Sequence, residues 1–196
     1  MVKQLFKTTN KMQQINENLV VITAGEPWEE AMNDYLKIYL GGSIDLGEKF
    51  NWHGKFIQGM TKLTDPMNGD PRYNDKKFLI MSPRVPVMNP SPTLDNVEFV
   101  NKKRWEFDML KKCDVVFCNF LKKATTPGAI NELMLMATSG KLVVRCPLDY
   151  FNYPTIKVIS DSFGFPIFGE TANTLDILQY IFSNIPKFSN IQNYGL

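Results

Sequence analysis

Short apolar runs, each closed by polar punctuation, recur along the chain, and their period shifts from run to run. Leu19-Val20-Val21-Ile22-Thr23 is continuous and largely β-branched, which predicts a strand ending at the turn signal Gly25-Glu26-Pro27. Leu36-Lys37-Ile38-Tyr39-Leu40 predicts another, ending at Gly41-Gly42-Ser43. Phe78-Leu79-Ile80-Met81 stops at Ser82-Pro83-Arg84, and two more strands follow over residues 114–120 and 141–146. Between them the apolar spacing is helical. A helix runs from about Glu48 to Leu63, with Phe50, Ile57 and Met60 on one face and Phe56 and Leu63 flanking. Another starts at Asp95, with Glu98 completing a box-like cap, and runs to about Lys112. A third opens in Thr125-Thr126-Pro127-Gly128 and is stopped by Gly140. The last starts near Thr174, carries Leu175, Leu178, Phe182 and Ile185, and is stopped by Pro186. Residues 1–17 read as a loose polar extension, residues 64–75 as a loop, and residues 155–168 as a short helix and a last strand.

Strands that alternate with helices and are apolar nearly throughout imply a parallel sheet covered on both faces. The expected fold is therefore single-domain α/β. In such sheets ligands bind beyond the carboxyl ends of the strands. Three segments converge there: Gly41-Gly42-Ser43-Ile44-Asp45, Ser82-Pro83-Arg84, and the loop over residues 121–128.

Composition excludes several functions. The 196 residues suit one domain, and with 44% hydrophobic and 21% charged residues the chain is globular in type. A net charge of +2, from 22 basic and 20 acidic residues, leaves no footprint for nucleic acid or a membrane surface. The basic runs Lys102-Lys103-Arg104, Lys111-Lys112 and Lys122-Lys123 read as solvated faces and loop edges. No apolar run reaches the roughly 20 residues of a membrane helix, and the start of the chain has no signal-type apolar core. Cys113, Cys118 and Cys146 lack metal-site spacing and read as buried hydrophobes in a reducing cytoplasm. His53 is the one histidine, which disfavours histidine-zinc sites and Ser-His-Asp catalysis. The chemistry falls to carboxylates and hydroxyls, with no metal or cofactor expected.

Glu132 is the outstanding carboxylate. Its helical neighbours Gly128, Ala129, Leu135 and Met136 include no charge partner, so the position is either costly or useful. A nucleophile is the expected use. The run from Gly42 to Lys49 imitates a phosphate-binding loop, but its second glycine is followed by Glu48 where that loop needs lysine. Gly-x-Gly-x-x-Gly is absent as well. Trp52 and Trp105 lie in helical stretches, where tryptophans are more often packing residues.

IYLGGSID, SPR, WEFDMLKKCDVVFCNF, TTPGAINEL and GKLVVRCP, in this order, resemble the nucleoside 2-deoxyribosyltransferase family over roughly residues 36–150. The resemblance implies a flavodoxin- or Rossmann-like sheet over residues 36–196, preceded by an extension, residues 1–35, with an added strand. It implies that Glu132 attacks the anomeric carbon of a deoxyribosyl group, that Tyr39 hydrogen-bonds the nucleophile, and that Asp114 contacts the substrate side. Gly41, Gly42, Ser43 and Asp45 would line the sugar or base, with Asp45 as candidate acid for the leaving base; Arg84 and Gly128 join them as candidate substrate-binding residues. The implied partners are a deoxynucleoside or deoxynucleotide, a free base and further copies of the chain. Two alternatives stay open: hydrolysis of deoxynucleoside 5′-monophosphates, opposed by Asp45 and weakly favoured by Arg84 and Ser43, and a non-catalytic nucleotide sensor on the same fold. A phosphoribohydrolase of the cytokinin type is disfavoured, since its Pro-Arg-x-x-Glu element is missing after Pro83-Arg84.

Overall fold

The computed structural model describes residues 12–27, 29, 32–44, 51–73, 75–85 and 91–185. Its strands are β1 (Gln13–Asn16), β2 (Leu19–Thr23), β3 (Leu36–Gly42), β4 (Phe78–Ser82), β5 (Val115–Asn119), β6 (Leu142–Arg145) and β7 (Ile167–Phe168). Its helices are α1 (Trp52–Leu63), α2 (Val97–Lys112), α3 (Pro127–Met136), α4 (Tyr153–Phe163) and α5 (Thr174–Ser183). The strands form one sheet in the order β1-β2-β4-β3-β5-β6-β7, parallel except for β1. From β3 onward this is the doubly wound, flavodoxin-like order, whose direction reverses between β3 and β5.

Period-2 alternation divides the core into two layers. Tyr39, Val116, Cys118 and Val144 face α2, α3 and α4, where Trp105, Met109, Leu133, Met136 and Ile156 cover them. Ile38, Leu40, Phe117 and Val143 face α1 and α5, against Phe56, Met60, Ile177 and Ile181. The central strands are buried on both faces, which is why they read as unbroken apolar runs.

Several boundaries differ from expectation for local reasons. β1 has a polar sequence, and its antiparallel ladder to β2 is carried by backbone, so no apolar alternation announced it. The extension thus adds two strands, and β2 pairs in parallel register with β4 from Leu19↔Phe78 to Thr23↔Ser82. Asn96, rather than Asp95, caps α2 by accepting from the Phe99 amide. α1 is capped by Asn51, whose side chain accepts from the Gly54 amide, and it buries Trp52, His53, Phe56 and Met60. The expected helix start at Glu48, Phe50 and the stop at Pro186 lie outside the described residues. Gly140 ends the 3-10 turn after α3 with φ of 71°, the expected left-handed stop.

Gly42 closes β3 at φ of 111°, and a Cβ there would lie 2.3 Å from the Asn119 carbonyl oxygen. Only glycine satisfies both the left-handed backbone and this approach of β3 to β5. Gly42→Ala is expected to destabilise the fold by more than ~2 kcal/mol, lowering the melting temperature by on the order of 5 °C. A thermal melt unchanged within a degree would contradict this account of the β3–β5 contact.

Candidate functional site

At the switch between β3 and β5 the two carboxyl ends part, and α3 starts above the gap. Its first turn is set up by Thr126, which adopts φ of 31° and ψ of 57°, a left-handed conformation that few threonines occupy. Buried Thr126 is tied to Tyr150, with 3.3 Å between the hydroxyl oxygens. Strain of this kind persists where the surroundings over-determine the backbone. Pro127 at the first helical position supplies a preset φ and needs no amide partner. The turn presents Gly128 and Ala129 to a cleft of about 230 Å³, which Gly42, Ile44, Pro83, Lys103, Glu106 and Glu132 also line.

Glu132 lies one turn into α3, 9% exposed, and points back at the sheet. The Tyr39 hydroxyl donates to its Oε1 at 3.3 Å. Gly41 makes the space: a Cβ there would sit 3.2 Å from Oε2 of Glu132 and 2.9 Å from the Cys118 sulfur. Burial pushes the Glu132 carboxyl up from its ordinary 4.5 to about 7, with the Glu106 charge adding to the rise. Lys103, Lys102 and the Tyr39 hydrogen bond oppose it. Tyr39 itself is held well above its ordinary 10, first by burial and then by the Glu132 charge, so its hydroxyl keeps its proton and remains a donor.

The basic run on α2 is not solvated throughout. Lys102 is 7% exposed and pairs with Glu106 at 2.6 Å, while Lys103 pairs with the other oxygen of the same carboxylate. Two ammonium groups on one carboxylate place a net positive cluster beside Glu132. The i, i+4 spacing of Lys102 and Glu106 was the available signal, but that spacing is also common on wet helix faces. Nothing local distinguished the two cases, and Lys103 had no signal that marked it as a cleft residue, whereas Thr126 belongs to the 121–128 loop expected beyond the strand ends.

The remaining expected residues fall in several places. Gly41, Gly42 and Gly128 meet Glu132 in or beside the cleft. Ser43 lies beneath it: its amide donates to the Asn119 carbonyl, its carbonyl accepts from Trp52 Nε1 at 2.7 Å, and its hydroxyl oxygen accepts from the Leu121 amide at 3.0 Å. Arg84 follows β4 and approaches the Ile44 carbonyl at 3.5 Å, flanking the cleft through Ile44 and Pro83. Asp45 lies outside the described residues. Asp114 is a correction. It precedes β5 at the amino edge of the sheet, accepts from the Lys37 amide at 2.8 Å and pairs with Lys37 Nζ at 3.7 Å. A residue that opens a parallel strand stands a full strand length from the carboxyl edge, so the structure does not bring Asp114 to Glu132. Trp105 is a packing residue, its indole N–H donating to the Glu26 carbonyl at 2.8 Å.

Residues 35–150, more than half of the chain, match the family described as nucleoside 2-deoxyribosyltransferase like. The chain belongs to that family. No curated protein matches it. In this nucleoside 2-deoxyribosyltransferase-like chain the matched span begins just before β3 and ends at Tyr150, and so contains Tyr39, Gly41, Glu106, Thr126 and Glu132. Membership implies small nucleoside-type substrates and an enzyme of the deoxyribosyltransferase kind. Among the described residues no helix is long and apolar enough to cross a membrane, and no three His, Cys, Asp or Glu side chains are grouped to hold a metal.

The burial of Glu132 has a thermodynamic consequence. Its folded-state affinity for a proton exceeds that of the unfolded chain, so stability from this group falls as pH rises from 4.5 through about 7. The full cost of the ionised form is about 3 kcal/mol. Glu132→Gln is therefore expected to raise the melting temperature relative to wild type at pH 8 and to change it little at pH 4.5. A difference that is the same at both pH values would show that residue 132 is not desolvated.

Proposed function

We propose that this protein cleaves the N-glycosidic bond of a 2′-deoxynucleoside and transfers the deoxyribosyl group through a covalent ester on Glu132. The observation that carries the reading is the buried carboxylate of Glu132, bonded to a permanently protonated tyrosine and facing a cleft at the topological switch point. The ionised Oε attacks C1′ as the C1′–N bond breaks, and the electron pair leaves with the base nitrogen. An incoming base, or water, then gives up a proton and displaces the carboxylate, so the anomeric configuration is retained. Tyr39 orients Glu132 and disperses its charge. Lys103 and Lys102 favour the ionised form that attack requires, against burial and the Glu106 charge. Asp45 is the proposed acid for the departing base. The buried free thiols of Cys113, Cys118 and Cys146 suit the reducing cytoplasm proposed as its location. A homo-oligomer fits the outward apolar groups Phe107 on α2 and Met134 and Leu135 on α3, beside the cleft.

One observation favours a second reading, a deoxynucleoside 5′-monophosphate as substrate with water as acceptor. Lys103 lines the cleft, its Nζ 3.7 Å from where a Cβ on Gly128 would sit, so a cation stands beside the positive start of α3.

Base exchange on a deoxynucleoside plus a second free base, run beside base release from a deoxynucleotide, separates the two. Glu132→Gln and Glu132→Ala are expected to lose at least ~10³-fold in turnover with the fold retained. Tyr39→Phe should lose about 10- to 100-fold, the worth of one hydrogen bond to a charged group. Since attack needs the carboxylate, turnover should rise with pH through about 7 and level above it. Full activity in both Glu132 variants would overturn the mechanism, and an intact but wholly inactive wild type on both substrates would favour the sensor.

The oligomer is tested separately by light scattering. A mass at least twice 22.5 kDa is expected, and Leu135→Glu should reduce it. A monomer at all concentrations would remove that part of the proposal.

A further inference from the structure

The opposite face of the same sheet edge carries a second cavity, of about 290 Å³, between the starts of α1 and α5. Its floor is aromatic. The Phe56 and Phe117 rings stack with centroids 5.2 Å apart, and Trp52 meets Phe117 edge-on at 5.5 Å. Strand alternation supplies its polar wall. β5 and β6 bury Phe117 and Val143 on this face, and two residues later each strand ends in a polar side chain, Asn119 and Arg145, which are register partners.

Arg145 is the informative group. Its Nε donates to the Ala172 carbonyl at 2.9 Å, one Nη to the Glu170 carbonyl at 2.8 Å, and the other to the Asn119 carboxamide oxygen at 3.3 Å. These three bonds hold the guanidinium still and leave two of its five N–H groups. Each of these three acceptors is uncharged, and Arg145 makes no ion pair among the described residues. Lys55, on the α1 rim of the cavity, likewise makes none among the described residues. The nearby carboxylates are engaged elsewhere: Glu170 with Lys122, and Asp176 with the Asn173 amide. The first amides of α5 are taken by the Asn173 side chain, so the helix start adds no anion site of its own. What remains is a fixed cation, without an ion-pair partner among the described residues, in a cavity that Trp52, Phe56 and Phe117 also line.

We propose that this cavity is a second ligand site, separate from the Glu132 cleft, for a small planar ring that carries one anionic group. The ring lies against Trp52 and Phe117, and the anion meets Arg145 and Lys55. Asn119, whose oxygen is taken by Arg145, has NH₂ hydrogens to give to a ring acceptor. The volume sits at the low end of small-molecule pockets, about 300–1,000 Å³, which suits one ring system rather than a dinucleotide. The Trp52 indole N–H also holds the Ser43 carbonyl, next to the glycine turn of the Glu132 cleft. An occupant of this cavity therefore touches a residue that supports the other site. The proposal does not rest on the catalytic reading of Glu132.

The indole N–H resonance of Trp52, one of three tryptophans, reports on the site in ¹⁵N NMR titrations of the full chain. The probes are pyridine-3-carboxylate, dAMP, deoxyadenosine and inorganic phosphate. Saturable shifts are expected with the two ring-bearing anions, in wild type and equally in Glu132→Gln and Tyr39→Phe. Neither deoxyadenosine nor phosphate alone should shift Trp52 saturably in the millimolar range. A response to the carboxylate alone, or to the nucleotide alone, identifies which source of the anion fits, and either supports the site. Arg145→Met should weaken binding at least tenfold, and Lys55→Met about threefold. Circular dichroism checks the fold, and if Arg145→Met does not fold, Lys55→Glu carries the test with at least a tenfold loss expected. The proposal is overturned if neither ring-bearing anion shifts Trp52, if the folded Arg145 variant (or, failing that, Lys55→Glu) binds as wild type does, or if the shifts vanish in the Glu132 variant.

Discussion

The contact between the Glu132 carboxylate and the Tyr39 hydroxyl organises this protein more than any other. A carboxylate 9% exposed is unfavourable in itself, and the fold tolerates it through several separate provisions. β3 supplies the donor, Gly41 supplies the empty volume that a side chain would fill, and α2 supplies two ammonium groups and one opposing carboxylate. The balance leaves the proton affinity near neutrality, where a carboxylate is still a competent nucleophile and is less solvated than one on the surface. Each provision comes from a different segment, so the arrangement exists only when the doubly wound order is complete.

That order also explains why both cavities lie on one edge. The order in which strands are added to the sheet reverses between β3 and β5, which run parallel, and the loops that leave their carboxyl ends diverge there. Gly42 lets β3 pass against the Asn119 backbone, and Ser43 then ties the turn to Leu121 on one side and Trp52 on the other. The Glu132 cleft opens toward α2 and α3, and the Arg145 cavity toward α1 and α5. One short turn thus forms part of the wall between two chemically different spaces. The first holds a desolvated anion with cations near it; the second is lined by cations and aromatic rings.

Much of this was legible from the chain. The unbroken apolar strands required two covered faces, which fixed the α/β class, and the ends of those strands drew attention to Gly41, Gly42 and the start of α3. Asp114, a site residue only by family resemblance, shows where matching along the chain stops short. It stands beside an apolar run as plainly as any site residue, but direction along a parallel strand decides which edge a residue occupies, and its place before β5 puts it at the wrong one. β1 was missed because an exposed edge strand needs only its backbone to pair. Lys102 was misread because spacing along α2 does not say which side of that helix meets the sheet.

The sequence by itself determined the period of each element, the glycines that the tight passages demand, and a glutamate with no charge partner on its own helix. Those are properties of neighbours within a few positions, set by backbone sterics and side-chain pattern. Only the tertiary structure decided that Tyr39 reaches Glu132 across 93 positions, that Lys102, Lys103 and Glu106 bear on the same carboxylate, and that Arg145 has carbonyls rather than carboxylates around it. Burial and charge act through space, and helices that cross on opposite faces of a sheet choose companions which no local pattern names.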